Sequence, residues 1–174
     1  IWIVLALVCL VLSIVTETFF TYSNLTNVAR QVSVNIILAC GMTIVIIIGG
    51  IDLSVGATLA FSSFIMADFM RYIGMIPAMA AGLVIGGLVG LLNGLLVSQR
   101  KSMAFVITLG TMTVWRSLTS IYSGGLPISG FSSLFQDIAS GSMLFIPIPF
   151  WIALCTVIIC EFVLQYTKYG NYVY

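Results

Sequence analysis

The sequence predicts an all-α protein, a polytopic transmembrane helical bundle with about six spanning helices and one short interfacial helix. Of its 174 residues, 61% are hydrophobic and only 6% are charged, and the mean hydropathy is +1.22. A soluble domain of this size would carry roughly a quarter of its residues as charged side chains. The apolar residues form solid runs close to the ~20 residues that a helix needs to cross a bilayer. A membrane β-barrel would instead alternate polar and apolar residues in segments of about ten.

The first half of the chain contains three predicted spans and the interfacial helix. An apolar run over residues 1–15 predicts the first span, because no small-residue cleavage site of a signal peptide follows it. A polar segment over residues 21–31 keeps its apolar side chains on one helical face. This pattern predicts a short helix in the membrane interface, with Asn24 as its N-cap. The second span is predicted at residues 33–48 and the third at residues 53–70.

The second half contains three further predicted spans and one long loop. The fourth span is predicted at residues 77–97 and the fifth at residues 104–122. A loop rich in glycine and serine follows over residues 123–145, and the last span is predicted at residues 147–166. Together with the first three, these runs give six spans.

Basic residues near the ends of the spans predict the orientation. Short loops that carry Lys and Arg stay in the cytoplasm, which places Arg100 and Lys101 inside. Because successive spans cross in opposite directions, Lys168 also lies inside, whereas Arg71 and the 123–145 loop lie outside.

A charged turn separates the second and third spans. Gly49 and Gly50 can end the second helix in left-handed conformations. Asp52 can then cap the third helix by accepting hydrogen bonds from the amides of Ser54 and Val55. A charge between two apolar spans is also typical of a transport pathway or a packed polar hub. We therefore consider Asp52 and Ser54 as pathway or hub residues, with an ordinary capped turn as the alternative.

A stripe of glycines runs along the fourth span. Gly82, Gly86, Gly90 and Gly94 are spaced by four and therefore share one helical face, which predicts close packing against another helix. Asn93 lies beside the stripe, and its amide must find a partner in the membrane. A hydrogen bond to another helix is favoured over a contact with substrate.

Hydroxyl side chains are dense in the fifth span. Thr108 and Thr111 share a face and are candidates for lining a substrate pathway. Alternatively, each threonine returns its hydroxyl to a carbonyl of the preceding turn and does not face water.

Residues that carry enzymatic chemistry are scarce. The sequence has no histidine, no phosphate-binding loop of the GxxxxGK[ST] type and no carboxylates paired at catalytic spacing. The four cysteines lie in apolar runs and are interpreted as small buried hydrophobes; they are Cys9, Cys40, Cys155 and Cys160. We expect no metal site, no nucleic-acid partner and no enzymatic activity in this chain.

Taken in order, these motifs resemble the membrane permeases of the ribose, xylose, galactose and autoinducer class of ATP-binding cassette (ABC) importers. The matching runs are residues 19–25, 41–43, 49–56, 105–112 with Arg116, and 124–128. The Gly-Ile-Asp-Leu-Ser-Val-Gly run and the later Thr-Leu-Gly-Thr-Met run are the specific part of the likeness. The resemblance covers essentially the whole chain.

The resemblance implies a single transmembrane permease domain over residues 1–174, incomplete and lacking roughly four spans. It implies a multi-pass protein of a bacterial-type inner membrane that moves a pentose or hexose through the bilayer by alternating access. The partners would be a second permease subunit, identical or related, cytoplasmic ABC subunits that bind ATP and Mg, and an extracytoplasmic sugar-binding protein. This chain itself would hold no cofactor. Its Lys168, Tyr169 and Gly170 would begin the contact with the ATPase.

Two other classes of membrane protein stay open from the residues alone. A secondary transporter or channel-like subunit would need coupling acids or helix breaks within the membrane, and Asp52 beside Gly49 and Gly50 is the candidate. A structural subunit or an intramembrane enzyme is the other alternative. An enzyme should show a nucleophile and a base, and the sequence shows no such pair.

Overall fold

The structure, a computed structural model, describes residues 1–99 and 103–173 and confirms the all-α class, with one small strand pair as an exception. The helices are α1 (Trp2–Val15), α2 (Tyr22–Ile47), α3 (Val55–Ile73), α4 (Met75–Gln99), α5 (Ala104–Ser123), α6 (Ser133–Ser140), α7 (Ile148–Tyr166) and α8 (Lys168–Val173), and the antiparallel strands are β1 (Ser142–Met143) and β2 (Ile146–Pro147). The basic pair Arg100 and Lys101, which predicts the orientation, lies outside the described residues.

The separate interfacial helix is a wrong prediction. Residues 21–31 belong to the start of α2, which runs for 26 residues without a break. The polar residues stay helical because Thr26 and Ser33 donate their hydroxyl protons to carbonyls four residues earlier, at 2.9 and 2.6 Å. The segment also contains no Gly or Pro to end the helix. Thr21, not Asn24, is the N-cap, since its hydroxyl oxygen accepts a hydrogen bond from the Asn24 N–H.

Three of the helices, α2, α4 and α7, are long and apolar enough to cross a membrane, with 26, 25 and 19 residues. Helices α3 and α5 have 19 and 20 residues. They are more polar, because they carry Asp68, Arg71, Arg116 and several hydroxyl groups. Helix α1 is apolar but has only 14 residues. The chain is therefore an integral membrane protein, and the number of six spans stays a prediction.

The interior is built from small and polar side chains, and large apolar side chains cover the outside. Ala78, Ala153 and Ser54 are fully buried, whereas Leu83 is 80% exposed and Ile121 is 77% exposed. In a bilayer, an apolar side chain gains little by leaving the lipid. The helices therefore associate through close backbone approach and hydrogen bonds, as expected for a membrane bundle.

Helices α3 and α4 are antiparallel neighbours joined at Gly74. They approach most closely where Gly82 faces Met66: a Cβ atom on this glycine would lie 2.8 Å from the methionine Cβ. One turn further, the Cβ position of Gly86 lies 3.6 Å from the Ser62 Oγ. The first half of the glycine stripe thus lies in the α3–α4 interface.

Helices α3 and α5 run parallel, as their contacts show: residues later in α3 contact residues later in α5. The rings of Phe61 and Trp115 have centroids 5.0 Å apart. Further along both helices, Phe64 and Tyr122 meet edge to face at 5.7 Å. Helices α3, α4 and α5 therefore form one packed unit.

Helices α2 and α7 form a second packed pair, supported by the loop that precedes α7. The Tyr22 hydroxyl donates to the Phe145 carbonyl at 3.3 Å, and the Arg30 guanidinium donates to the Ser140 carbonyl. The loop predicted at residues 123–145 therefore contains ordered elements, α6 and the strand pair, that pack on the start of α2 and α7.

The alternating helices bring chain segments to two ends of the bundle. We call the end with Arg71 and residues 123–145 the loop end. We call the end with residues 48–54, Ser98 and Lys168 the turn end. This division agrees with the prediction that successive loops lie at opposite ends of the bundle.

Candidate functional site

A tight turn between α2 and α3 begins the candidate site. Gly49 has φ +76°, a left-handed conformation that suits glycine. Its N–H donates to the Ile46 carbonyl, and the Gly50 N–H donates to the Val45 carbonyl, both at 2.9 Å. These two bonds form a Schellman motif, which satisfies the last carbonyls of α2 and redirects the chain toward α3.

Asp52 holds the start of α3 through Ser54. The Asp52 Oδ1 atom accepts hydrogen bonds from the Ser54 N–H at 2.8 Å and from the Ser54 hydroxyl at 2.6 Å. Ser54 is the N-cap residue of α3. The predicted bond to the Ser54 amide is present, whereas the Val55 amide is not among the donors to Asp52. The carboxylate therefore fixes the capping residue instead of capping the helix itself.

Asn93 joins α4 to this turn. Its Nδ2 group donates a hydrogen bond to the Ser54 hydroxyl oxygen, which in turn donates to Asp52. Asn93 is only 3% exposed and Ser54 is 0% exposed. A chain of hydrogen bonds in such surroundings is strengthened by mutual polarisation. The amide thus makes the cross-helix bond that its position beside the glycine stripe suggested.

Thr108 brings α5 to the same turn. Its hydroxyl lies 2.9 Å from the Ala104 carbonyl of its own helix and 3.3 Å from the Ile51 carbonyl of the turn. The side chain is 1% exposed. The Thr111 hydroxyl instead bonds the Thr108 carbonyl at 3.2 Å.

The structure thus gathers four of the candidate residues at the turn end. Asp52, Ser54, Asn93 and Thr108 form what we call the polar cluster. Thr111 lies one turn beyond it.

A cavity of about 350 Å³ lies beside the polar cluster. Its walls come from the end of α2, the 48–54 turn, α4 and the start of α5. Gly90 and Gly94 line this cavity, and in the described part of the chain no atom apart from their chain neighbours and the adjoining backbone of α4 lies within 4 Å of their Cβ positions. Their predicted packing role is therefore not seen within this chain, and their role in leaving this space open was missed. The position of Asn93 between them was the available signal.

The cavity offers hydrogen-bond acceptors between largely apolar walls. Asp52 is half-buried and is the one charged side chain among the described lining residues. The Oδ1 atom of Asn93 is buried and has no hydrogen-bond partner among residues 1–99 and 103–173. Leaving such an acceptor unpaired costs about 1–3 kcal/mol. Because this atom has almost no accessible surface, a hydrogen-bond donor in the cavity reaches it only if the Asn93 side chain shifts.

The short helix α8 carries the residues predicted to begin an ATPase contact. Lys168 and Tyr169 are exposed at the turn end, whereas Gly170 is buried. The Gly170 N–H lies 3.4 Å from the Thr167 hydroxyl oxygen. Two of these three residues are thus available to another subunit.

No group of three or more His, Cys, Asp or Glu side chains that could hold a metal ion occurs in the described ranges. The described lining of the cavity offers hydrogen-bonding groups between apolar walls.

Fold and site together define a class of protein. Apolar helices that pack through small residues, with a polar cluster and a cavity between several of them, are features of polytopic membrane transport proteins. Residues 24–174 match the family described as branched-chain amino acid transport system / permease component, and the chain belongs to this family.

Several curated relatives are named as sugar permeases. The chain is 39% identical to the ribose import permease protein RbsC of Haemophilus influenzae, over 99% of this chain and 55% of the relative. It is 40% identical to the ribose import permease protein RbsC of Bacillus subtilis, over 98% and 54%. It is 35% identical to the D-allose transport system permease protein AlsC of Escherichia coli, over 93% and 50%. The chain spans about half the length of the curated relatives it matches. No solved structure matches it.

Proposed function

We propose that this chain is part of the membrane-spanning permease subunit of an ABC importer that translocates a sugar of the pentose or hexose class. The names of the relatives, which include ribose and D-allose transport, support the substrate class. The structural observation that carries the proposal is the polar cluster beside the cavity at the turn end. It places the half-buried Asp52 carboxylate and the buried amide of Asn93 beside an apolar space of ligand size.

We propose further that α1 to α5 and α7 all cross the bilayer. The alternation of their ends supports six crossings. Helix α1 rises only about 21 Å at 1.5 Å per residue, and the apolar Phe19 and Phe20 follow it after the polar residues 16–18. A short span of this kind is accommodated by local thinning of the bilayer. The polar side chains of α3 and α5 would then lie within the protein or toward a water-filled path.

The chemistry of the cavity suits a neutral sugar. A sugar that leaves water loses hydrogen bonds from several hydroxyl groups, and each unpaired group costs free energy. The Asp52 carboxylate would replace some of these bonds, and the Asn93 Oδ1 atom would do so after a shift of its side chain, while Gly90 and Gly94 leave room for the ring. Thr108 would act indirectly, by holding the Ile51 carbonyl and so the position of the turn.

Alternating access would move one packed unit against the other. Helices α3, α4 and α5 are joined by the polar cluster, whereas α2 packs mainly on α7 and touches α3 sparingly. The Gly49–Gly50 turn connects the two units. A change at this turn would alter the width of the cavity without breaking either unit.

The partners belong to the same proposal. A second permease copy or a related subunit would complete the pathway, and cytoplasmic ABC subunits would bind ATP and Mg and hydrolyse the ATP. Lys168 and Tyr169 would lie on the side that meets them. An extracytoplasmic sugar-binding protein would deliver the sugar at the loop end.

Reconstitution tests this function. The full-length protein that contains this chain is purified with its co-expressed ABC subunits, placed in proteoliposomes and supplied with the binding protein and radiolabelled D-ribose or D-allose. We expect uptake that requires ATP and stops when the catalytic carboxylate of the ABC subunit is removed. If no nucleotide-binding subunit co-purifies and uptake proceeds without ATP, the proposal is wrong. Uptake driven by an ion gradient would favour a secondary transporter.

A further inference from the structure

A second pocket lies at the loop end of the bundle, remote from the polar cluster. It has a volume of about 460 Å³ and lies between the last turns of α3 and α5 and the segment that follows α5. This size falls within the range of about 300–1,000 Å³ that is typical of small-molecule sites. The pocket opens beside Leu126 and Pro127, which form an apolar side wall.

One side of the pocket carries hydrogen-bonding groups from two helices. The Tyr122 hydroxyl of α5 donates to the Asp68 Oδ2 atom of α3 at 2.7 Å. The Arg71 Nη1 atom lies 3.8 Å from the Asp68 Oδ1 atom, which makes a loose ion pair. A carboxylate has about four acceptor positions and a guanidinium has five donors. Asp68 and Arg71 therefore keep free acceptors and donors beside the pocket.

Aromatic rings also line this pocket. Phe64 and Tyr122 both line the pocket and meet edge to face, with an interplanar angle of 89°. Both rings therefore contribute aromatic surface to the wall of the pocket. An aromatic face next to polar groups suits a ligand that has an apolar side and a polar rim.

The charges in this pocket select the ligand further. Asp68 and Arg71 carry opposite charges, so a ligand with a net charge would lose its hydration without meeting a net opposite charge in the pocket. We infer that the pocket formed by Phe64, Asp68, Arg71 and Tyr122 is a binding site for a neutral, hydroxyl-rich ring of monosaccharide size. The ring would stack on an aromatic face, while its hydroxyl groups donate to Asp68 and accept from Arg71.

This inference deepens the proposed function and rests on it for the identity of the sugar. Helix α3 connects the pocket to the polar cluster, since its 19 residues rise about 28 Å. The pocket lies at the end that is predicted to face outward. It would therefore receive the sugar before the cavity at the turn end does.

The test measures sugar binding to the permease alone. The full-length protein is placed in lipid nanodiscs, which avoids detergents with sugar head groups, and is titrated with D-ribose and D-allose by saturation-transfer NMR. D-glucuronate and D-glucosamine, which keep the sugar ring, serve as charged analogues. We expect saturable binding of at least one neutral sugar and at least about tenfold weaker binding of both charged analogues.

Matched variants decide whether this pocket is the site. Asp68→Asn should weaken sugar binding at least about tenfold, and Tyr122→Phe about two- to tenfold, because the ring remains. Asp137→Asn, on α6 at the same end, should bind like the wild type. If Asp68→Asn does not fold, Tyr122→Phe decides whether this pocket is the site, because it removes only one oxygen atom. Absence of saturable binding by the wild type, or wild-type binding by folded Asp68→Asn and Tyr122→Phe, overturns the inference.

ATP-driven uptake by the same preparations separates the two proposals. If uptake requires ATP but the binding is absent or independent of Asp68, the inference fails and the proposed function stands. If the binding depends on Asp68 but uptake does not require ATP, the importer proposal fails and the binding site stands.

Discussion

The amide of Asn93 on α4 donates a hydrogen bond to the hydroxyl of Ser54 at the start of α3, across 39 positions of sequence. The same hydroxyl donates to Asp52, so one serine joins an amide and a carboxylate. Both Ser54 and Asn93 are buried. This relationship ties two helices to the turn that separates the two packed units of the bundle.

Removing the amide should therefore loosen the bundle. Asn93→Ala deletes the donor to Ser54 and leaves a buried hydroxyl with one bond fewer, at an expected cost of about 1–3 kcal/mol in the free energy of unfolding. The measurement is thermal unfolding of the purified protein, with the reactivity of its cysteine thiols as the readout. Asn171→Ala, an exposed asparagine in α8, is the control and should unfold like the wild type. Equal stability of the two variants would contradict the role of Asn93.

The two halves of the glycine stripe should respond differently to one added methyl group. Gly82→Ala would place its Cβ 2.8 Å from the Met66 Cβ, and such overpacking should destabilise the fold by about 1–3 kcal/mol. Gly94→Ala meets open space and gains helix propensity of up to about 1 kcal/mol, so it should fold at least as well.

Gly94→Ala should nevertheless reduce sugar uptake, because its methyl group enters the cavity. Thermal unfolding and uptake are measured on both variants. A stable Gly82→Ala protein, or full uptake by Gly94→Ala, would argue against this division of the stripe.

Native cysteines test the pairing of α2 with α7. Cys40 on α2 faces Cys160 on α7, and Cys155 is exposed on α7. In a Cys9→Ser, Cys155→Ser background, a short membrane-permeable bis-methanethiosulfonate should link Cys40 to Cys160, detected as a cross-linked peptide by mass spectrometry. Restoring Cys155 should add no link to Cys40. If the reagent labels Cys40 and Cys160 separately in folded protein and forms no link between them, these helices do not pack in this register.

Local features of the site could be predicted from the sequence, because they involve neighbouring residues. Asp52 stands two residues before Ser54, a spacing at which a carboxylate reaches the backbone N–H directly. The end of α2 at the two glycines could be predicted because glycine readily adopts the left-handed backbone conformation that ends a helix. The predicted bond from the Val55 amide to Asp52 is not formed, because the Asp52 Oδ1 atom accepts from the Ser54 N–H and the Ser54 hydroxyl.

Contacts between distant segments could not be predicted in this way. The need of Asn93 for a partner follows from its place in an apolar span, but nothing local identifies Ser54 as that partner. The Asp68–Tyr122 bond spans 54 positions and was missed for the same reason. The interfacial helix was wrongly separated from α2, because polarity was taken as a boundary although the hydroxyls of Thr26 and Ser33 bond within the helix.

The most direct test of the central claim is ATP-driven sugar uptake by proteoliposomes with Asp52 or Asp137 replaced by alanine. Asp52 holds the capping residue of α3 and borders the cavity, whereas Asp137 lies on α6 at the loop end. We predict that Asp52→Ala lowers the initial rate of uptake at least about tenfold, consistent with the loss of hydrogen bonds to a charged group. Asp137→Ala should keep nearly the wild-type rate at equal amounts of assembled transporter. Equal and mild losses in the two variants would contradict the account.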